Sequence, residues 1–290
     1  MRSMTPSPPG SPGWRTANTT SIKEAAAAAG IDLRFSDAQQ RQENQIAAIR
    51  SFIAQRVDVI AFSPVVESGW DTVLQEVKSA GIPVILTDRA IDSADTTLYR
   101  SFIGSDFLVE GRKAGEWLVE QYQGTTGDVN IVELQGTTGS APANDRQQGF
   151  AEAIAANPRL KVVASQSGNF TRARGKEVME ALLTAHSDID VLFAHNDDMA
   201  LGAIQAIEAA GRKPGTEIRV VSIDAIHDGM QALAARKINF IVECSPLLGP
   251  QLMTLVERVH RGVEVPARVV TDETTFTPDQ AQAVLPERRY

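Results

Sequence analysis

The 290-residue sequence has a single cysteine, Cys244, which excludes an intramolecular disulfide and a cysteine-built zinc site. Its four histidines (His186, His195, His227 and His260) include no pair at metal-ligand spacing, so neither a metal nor a cofactor is expected. Basic charge is scarce: 28 Lys and Arg stand against 36 Asp and Glu, for a net charge of −8. With neither a basic excess nor a basic stripe, a nucleic-acid partner is not expected. No apolar run approaches the roughly 18 residues of a membrane span. The first residues, Met1–Gly13 (MRSMTPSPPGSPG), lack the apolar core of about 7–15 residues that a signal peptide needs. Enzyme signatures are missing too: there is no GxGxxG after a first strand, and no GxxxxGK[ST], GxSxG or HExxH.

What is present is regular alternation. The runs at Ile31–Phe35, Val57–Phe62 and Ile82–Thr87 read as strands, and between Gln40 and Gln55 the residues Ile46, Ile49, Phe52 and Ile53 fall at helical spacing. The second half repeats this programme. Strands are expected at Val129–Leu134, Leu160–Ala164, Asp190–Ala194 and Ile218–Ile223. Helices are expected at Arg146–Ala156, around Val178, Met179, Leu182 and Leu183, and at Met199–Ala210, with Gly211 as a C-cap. Strand–helix alternation of this kind predicts parallel sheets covered by helices on both faces.

The two halves align in order: IDLRF with LKVVA, VDVIAF with DVLFA, and IPVILTD with IRVVSID. Asp88 and Asp224 then end corresponding strands, and two similar α/β domains are expected. VNIVEL opens the second domain but has no apolar counterpart in Met1–Gly13. The first strand of domain 1 is therefore expected to be missing or altered, with about 8–10 residues and any signal peptide lying upstream.

Ligands of open α/β sheets sit at the carboxyl ends of strands. Here those ends carry Asp88-Arg89, Gln135-Gly136, Asn196-Asp197 and Asp224. Carboxylates accept hydrogen bonds from hydroxyls and guanidinium forks donate to two oxygens, so a cleft between two such sets suits a polyol. No nucleophile or metal ligand accompanies Asp88 and Asp224, so a catalytic carboxylate pair is not expected. Gly136–Ser140 lacks the lysine of a phosphate loop and reads as a tight strand-to-helix turn. Trp70 and His195 read as structural residues.

Larger motifs go further. GWR (13–15), DAQQRQENQIAAIRSFIAQ (37–55), PVVESGW (64–70), TDRAID (87–92), VELQGTTGS (132–140), DRQQGF (145–150), SQSGNFTRARGKEVME (165–180) and AHNDDMALGAIQAI (194–207) together resemble the periplasmic sugar-binding proteins of the ribose- and galactose-binding type. Within that type they look most like the galactofuranose-binding subgroup that serves ABC importers. The resemblance covers Pro12 to Pro286. It implies the type I periplasmic binding protein fold, two doubly wound parallel-sheet domains joined by a three-crossover hinge. The lobes are expected at 1–104 plus 242–270 and at 105–241 plus 271–290, with crossovers near Gly104–Asp106, Phe240–Val242 and Val270–Glu273.

The resemblance also implies a sugar site. Asp88 and Arg89 match the pair that holds sugar hydroxyls, Arg146 an arginine of the second domain, Asn196 the asparagine of the AxND motif, and Asp224 an aspartate after a later strand. Gly13, Trp14 and Arg15 match the first sugar loop, with Trp14 a wall against the ring and Phe170 closing over its other face. Each has a packing alternative: Arg146 in a helix pair, Asn196 as an N-cap, Trp14 and Phe170 in the core. The chain departs from the pattern at Ser11-Pro12, where polar residues reach the sugar in the family. It departs again at Glu243-Cys244-Ser245-Pro246, where ribose-type proteins use a glutamine.

The implied protein is a periplasmic monomer that captures a monosaccharide by hinge closure and presents it to ABC transporter permease subunits. Alternatives are a sugar-sensing or chemotaxis protein, or the sensor domain of a lactose-repressor-type regulator. The last needs a helix-turn-helix for which this sequence leaves no room before Gly13. An enzyme acting on a sugar is a further alternative and is not expected.

Overall fold

The computed structural model describes residues 2–7 and 12–290; Ser11 lies outside them. The chain runs β1 (Arg2–Ser7), α1 (Pro12–Ala28), β2 (Asp32–Asp37), α2 (Gln42–Ala54), β3 (Ile60–Phe62), α3 (Asp71–Ser79), β4 (Val84–Thr87) and β5 (Ser101–Gly104). It continues through α4 (Phe107–Gln121), β6 (Val129–Gln135), α5 (Ala141–Ile154), β7 (Leu160–Ser167), α6 (Arg172–Ala185), β8 (Val191–Ala194), α7 (Asp197–Ala209) and β9 (Arg219–Asp224). The last part comprises α8 (His227–Ala234), β10 (Phe240–Glu243), α9 (Gly249–His260), β11 (Arg268–Val270), β12 (Thr275–Phe276) and α10 (Pro278–Val284).

The strands form two α/β lobes. One sheet is ordered β11-β5-β4-β3, with the parallel pair β1-β2 beside β3, and the other β12-β10-β9-β8-β6-β7. All their ladders are parallel except that of β12 on β10. Central strands β3, β4 and β8 are buried along their whole length, which is why they read as continuous apolar runs rather than alternating ones.

The first strand of domain 1, expected to be missing or altered, is present in altered form. Arg2–Ser7 pairs in parallel with Asp32–Asp37 over six successive residues and lies beside β3. A ladder is built from main-chain N–H and C=O groups, so RSMTPS can take this place without an apolar signature. Pro6 has no N–H to donate, and among the described residues no ladder joins β1 to β3.

The chain passes between the sheets after β5, after β10 and after β11. Val242 and Glu243 pair with Ile223 and Asp224, so β10 lies wholly in the larger sheet. Some helices begin at residues that cap them. The Asp106 side chain accepts from Val109 N at 3.0 Å, and Asn196 Oδ1 accepts from Met199 N at 3.0 Å. Gly211 follows α7 with φ 76°, the left-handed conformation expected of a residue just past a helix end.

α4 and α5 pack unusually closely because glycines face each other's backbone. A Cβ on Gly111 would lie 2.2 Å from the Arg146 carbonyl oxygen, and one on Gly149 2.0 Å from that of Leu108. This approach seats Arg146 directly against α4.

Candidate functional site

A small cavity of about 30 Å³ lies where the two sheets' strand ends face each other. Trp14, Arg15, Asp88 and Arg89 line it from the first lobe; Phe107, Pro142, Arg146, Phe170, Asn196, Asp224 and Cys244 complete the wall. Of the nine residues that the resemblance marks for the sugar site, all but Gly13 are brought together here. A Cβ on Gly13 would lie 2.9 Å from Ile226 Cδ1, so Gly13 is a close-packing position and does not line this cavity. Trp14 and Arg15 stand in the first turn of α1 rather than in a loop.

The first lobe's side is a charge cluster at the ends of β3 and β4. Arg15 Nη2 donates to Asp88 Oδ2 at 2.5 Å, and Ser63 Oγ donates to the same oxygen at 3.0 Å. Arg89 Nε is 3.6 Å from it, and Arg89 Nη1 donates to the Val65 carbonyl at 3.1 Å. Arg15 Nε and Nη1 and Arg89 Nε are buried and donate to no protein atom. Burial and the neighbouring Arg15 lower the Arg89 pKa to about 9. The Trp14 ring lies under the Arg15 guanidinium, 4.5 Å from its centroid, and its Nε1 donates to the Cys244 carbonyl at 2.7 Å.

On the second lobe Arg146 is held from two sides. Its Nε donates to Glu110 Oε2 at 2.7 Å and its Nη1 to the His195 carbonyl at 2.6 Å, while Nη2 is 3.9 Å from Asp224 Oδ1. Burial disfavours the cation, yet Glu110 and Asp224 hold its pKa above the ordinary arginine value. Burial raises Asp224 well above the usual carboxylate range, against the pull of Arg146. Phe170 sits between two guanidiniums, 5.4 Å from that of Arg89 and 5.9 Å from that of Arg146. Asn196 fills both readings: it caps α7, its Nδ2 reaches the Phe170 carbonyl at 3.4 Å, and it lines the cavity.

Backbone strain concentrates here. Asp88 has φ 64°, Phe170 59°, Asp224 123° and Ala225 64°. Non-glycine residues held in left-handed conformations cost about 1–3 kcal/mol each and persist where the surroundings over-determine them. Asp197 supplies that constraint for the β9–α8 turn, accepting from Ser222 Oγ at 2.6 Å and from Ile226 N at 2.8 Å. Gly136 provides room for Phe170, since a Cβ there would lie 1.9 Å from the ring.

Phe107, Pro142 and Cys244 were missed as cavity residues. Cys244 lies in the departing Glu243–Pro246 stretch, and its buried thiol has a pKa well above 9.0 through burial and nearby Glu110. Glu243 instead accepts from Tyr290 Oη at 2.9 Å and pairs with Arg288 Nη1 at 2.8 Å. His195 is structural as expected, buried with Nε2 3.0 Å from Glu133 Oε1, and Trp70 lies in the core with Nε1 donating to the Val66 carbonyl. The cavity lining offers guanidinium forks, carboxyls and an amide between aromatic faces, groups that donate to and accept from hydroxyls.

Residues 3–262 match the family described as periplasmic binding protein domain. The galactofuranose-binding protein YtfQ of Escherichia coli (strain K12) is 44% identical over 281 residues, covering 96% of this chain and 88% of its own length. A crystal structure from Mycobacterium smegmatis in complex with β-D-fucofuranose is similar with a TM-score of 0.98 and 62% identity, covering 100% of this chain and 95% of that one. The periplasmic binding protein component of the arabinose ABC transporter from Shewanella sp. ANA-3, bound to α- and β-L-arabinofuranose, is similar with a TM-score of 0.94 and 46% identity, covering 100% and 96%.

Proposed function

The chain belongs to the periplasmic binding protein family, and from that premise we propose that it is the solute-binding component of an ABC-type sugar importer and takes a monosaccharide in its five-membered furanose form. The observation that carries this reading is a set of buried donors on residues that line the cavity: Arg15 Nε and Nη1 and Arg89 Nε have no protein acceptor, and a buried unpaired donor costs about 1–3 kcal/mol until a ligand oxygen reaches it. Furanose choice is supported by the relatives, whose bound or named sugars are β-D-fucofuranose, galactofuranose and L-arabinofuranose.

The sugar is held by Asp88, Arg89, Arg15, Arg146, Asn196 and Asp224, with Trp14 and Phe170 as apolar walls. Because these groups come from both lobes, a sugar touching all of them favours the closed arrangement and shifts the population toward it. The lobes, 1–104 with 244–270 and 105–243 with 271–290, turn about the three crossovers. Micromolar affinity corresponds to about −8 kcal/mol, within reach of several charge-assisted hydrogen bonds of about 1.5–3 kcal/mol each after ordering costs. The sugar is released unchanged to permease subunits in the membrane, and the protein works as a monomer in the periplasm.

The test is a thermal-shift panel of D-galactose, D-fucose, L-arabinose, D-ribose and D-glucose. Aldoses that equilibrate with a furanose form are expected to raise the melting temperature. Ligand at a hundred times Kd stabilises by about 2.7 kcal/mol, or roughly 5–10 °C for a chain of this size. The shift should vanish in Arg89→Ala. A cooperative melt that no sugar moves overturns the reading.

A further inference from the structure

Behind the cavity, the three crossovers meet at one side chain. Glu273 Oε1 accepts from Ser105 Oγ of the first crossover, from Ser245 N of the second at 3.0 Å, and from Thr271 Oγ1 of the third at 2.9 Å. Ser105 Oγ also lies 3.3 Å from Cys244 Sγ.

A second carboxyl approaches the same point from α4. One oxygen of Glu110, one of Glu273 and the Cys244 sulfur lie within 4.8 Å of one another. Glu110 is 1% exposed; its Oε2 accepts from Arg146, while its Oε1 has no hydrogen-bond partner. Two carboxylates this close in a dry site cannot both remain charged without strong mutual repulsion, whereas a carboxyl and a carboxylate can share one proton.

We propose that Glu110 and Glu273 are a proton-sharing positioning pair for the sugar site: Glu110 aims the Arg146 guanidinium into the cavity, Glu273 clasps the three crossovers, and the shared proton couples the two. This rests on the sugar-binding reading for its functional consequence, though not for the proton itself. Both groups are pushed upward, Glu110 by burial and Glu273 to about 8 by burial and then by Glu110.

Other charges face the pair. Arg146 comes from α5, and Asp224 stands behind it at the end of β9. Lys113 of α4 donates to the Glu273 carbonyl at 3.1 Å, and Arg268 of β11 donates to the Ser105 carbonyl at 2.7 Å. Asp145, at the start of the turn that carries Arg146, is raised to about 6 by burial and by Glu67. Asp106 adds negative charge beside Arg268. Cys244 stays a thiol here, since burial raises it.

The consequence has a definite sign. A carboxyl whose folded pKa lies above its ordinary 4.5 contributes stability that is complete below 4.5 and lost as pH rises through about 8. Above that range the proton leaves to solvent, the two carboxylates repel, and both the clasp and the seat of Arg146 loosen.

The experiment uses the full chain and Glu273→Gln, whose amide keeps a hydrogen-bond donor but does not titrate. Calorimetric titration with D-fucose from pH 6 to pH 9 is expected to show wild-type Kd rising about tenfold between pH 7 and pH 9, with a flat profile in E273Q. A wild-type profile that is flat while sugar binds, or an E273Q profile that matches it, overturns the proposal. So does a pH dependence that disappears on adding EDTA, which would assign the three clustered atoms to a cation. Infrared spectra of the sugar-free protein at pH 7 provide the readout independent of sugar. A protonated-carboxyl band present in wild type and lost in E273Q supports the shared proton even if no sugar in the panel binds; its absence overturns it.

Discussion

Gly111→Ala sets two effects of opposite sign against each other. In an exposed helix interior the change stabilises by up to about 1 kcal/mol, because glycine loses more conformational freedom than alanine. At Gly111 the new methyl would stand 2.2 Å from the Arg146 carbonyl oxygen, 2.8 Å from its carbonyl carbon and 2.9 Å from its Cα. All three are backbone atoms, so no side chain can swing aside. Restoring ordinary contact requires α4 and α5 to part by about 1 Å. Overpacking of this kind costs about 1–3 kcal/mol, and a rigid backbone neighbour places it at the upper end. The net expectation is a loss of about 2 kcal/mol, or roughly 4–8 °C in melting temperature.

The same displacement moves the Arg146 main chain, and with it the guanidinium that spans Glu110, the His195 carbonyl and the cavity. A binding constellation tolerates about 0.5 Å of error, so affinity for the sugar that stabilises wild type should fall at least tenfold. Differential scanning calorimetry and titration calorimetry on G111A read the two effects, with Gly127→Ala as control. Gly127 is exposed with no atom within 4 Å of its added Cβ, and its variant should match wild type within about 1 kcal/mol. A G111A protein that melts at or above wild type and binds within twofold would refute the close-approach argument.

Two further outcomes are expected. Asn196→Ala should lose the α7 cap, about 1 kcal/mol, together with sugar affinity. Asn196→Ser keeps a capping oxygen but not the amide donor, so its melting temperature should recover while its affinity does not; parallel recovery of both would show that Asn196 acts on the helix alone. Cys244 is 2% exposed and its thiol is held neutral by burial, so iodoacetamide should modify it only through opening of the cleft. Saturation with a stabilising sugar should slow that modification at least tenfold, and an unchanged rate would place Cys244 outside the part that closes.

The parallel strands were legible because strands buried on both faces must be apolar throughout: IAF at β3, VILT at β4 and VLFA at β8 announce themselves. The same logic located Asp88, Arg89, Asn196 and Asp224, since a polar residue immediately after such a run stands at a strand's carboxyl end. Their individual roles came from resemblance, not from spacing. β1 was illegible for the converse reason. Main-chain pairing leaves no mark on side-chain type, so RSMTPS looks like a tail until its partner Asp32–Asp37 is seen. Phe107 and Pro142 open helices after a crossover and a turn, and they reach the cavity only because of how the second lobe is placed against the first. Glu110 meets Arg146 across 36 residues and Glu273 meets Ser105 across 168. Such pairings depend on the register of α4 on α5 and on three crossovers converging, quantities that no local window contains. The strand ends of this fold can therefore be read in one dimension, whereas the groups that aim them, being contacts between elements, become visible only once the elements are assembled.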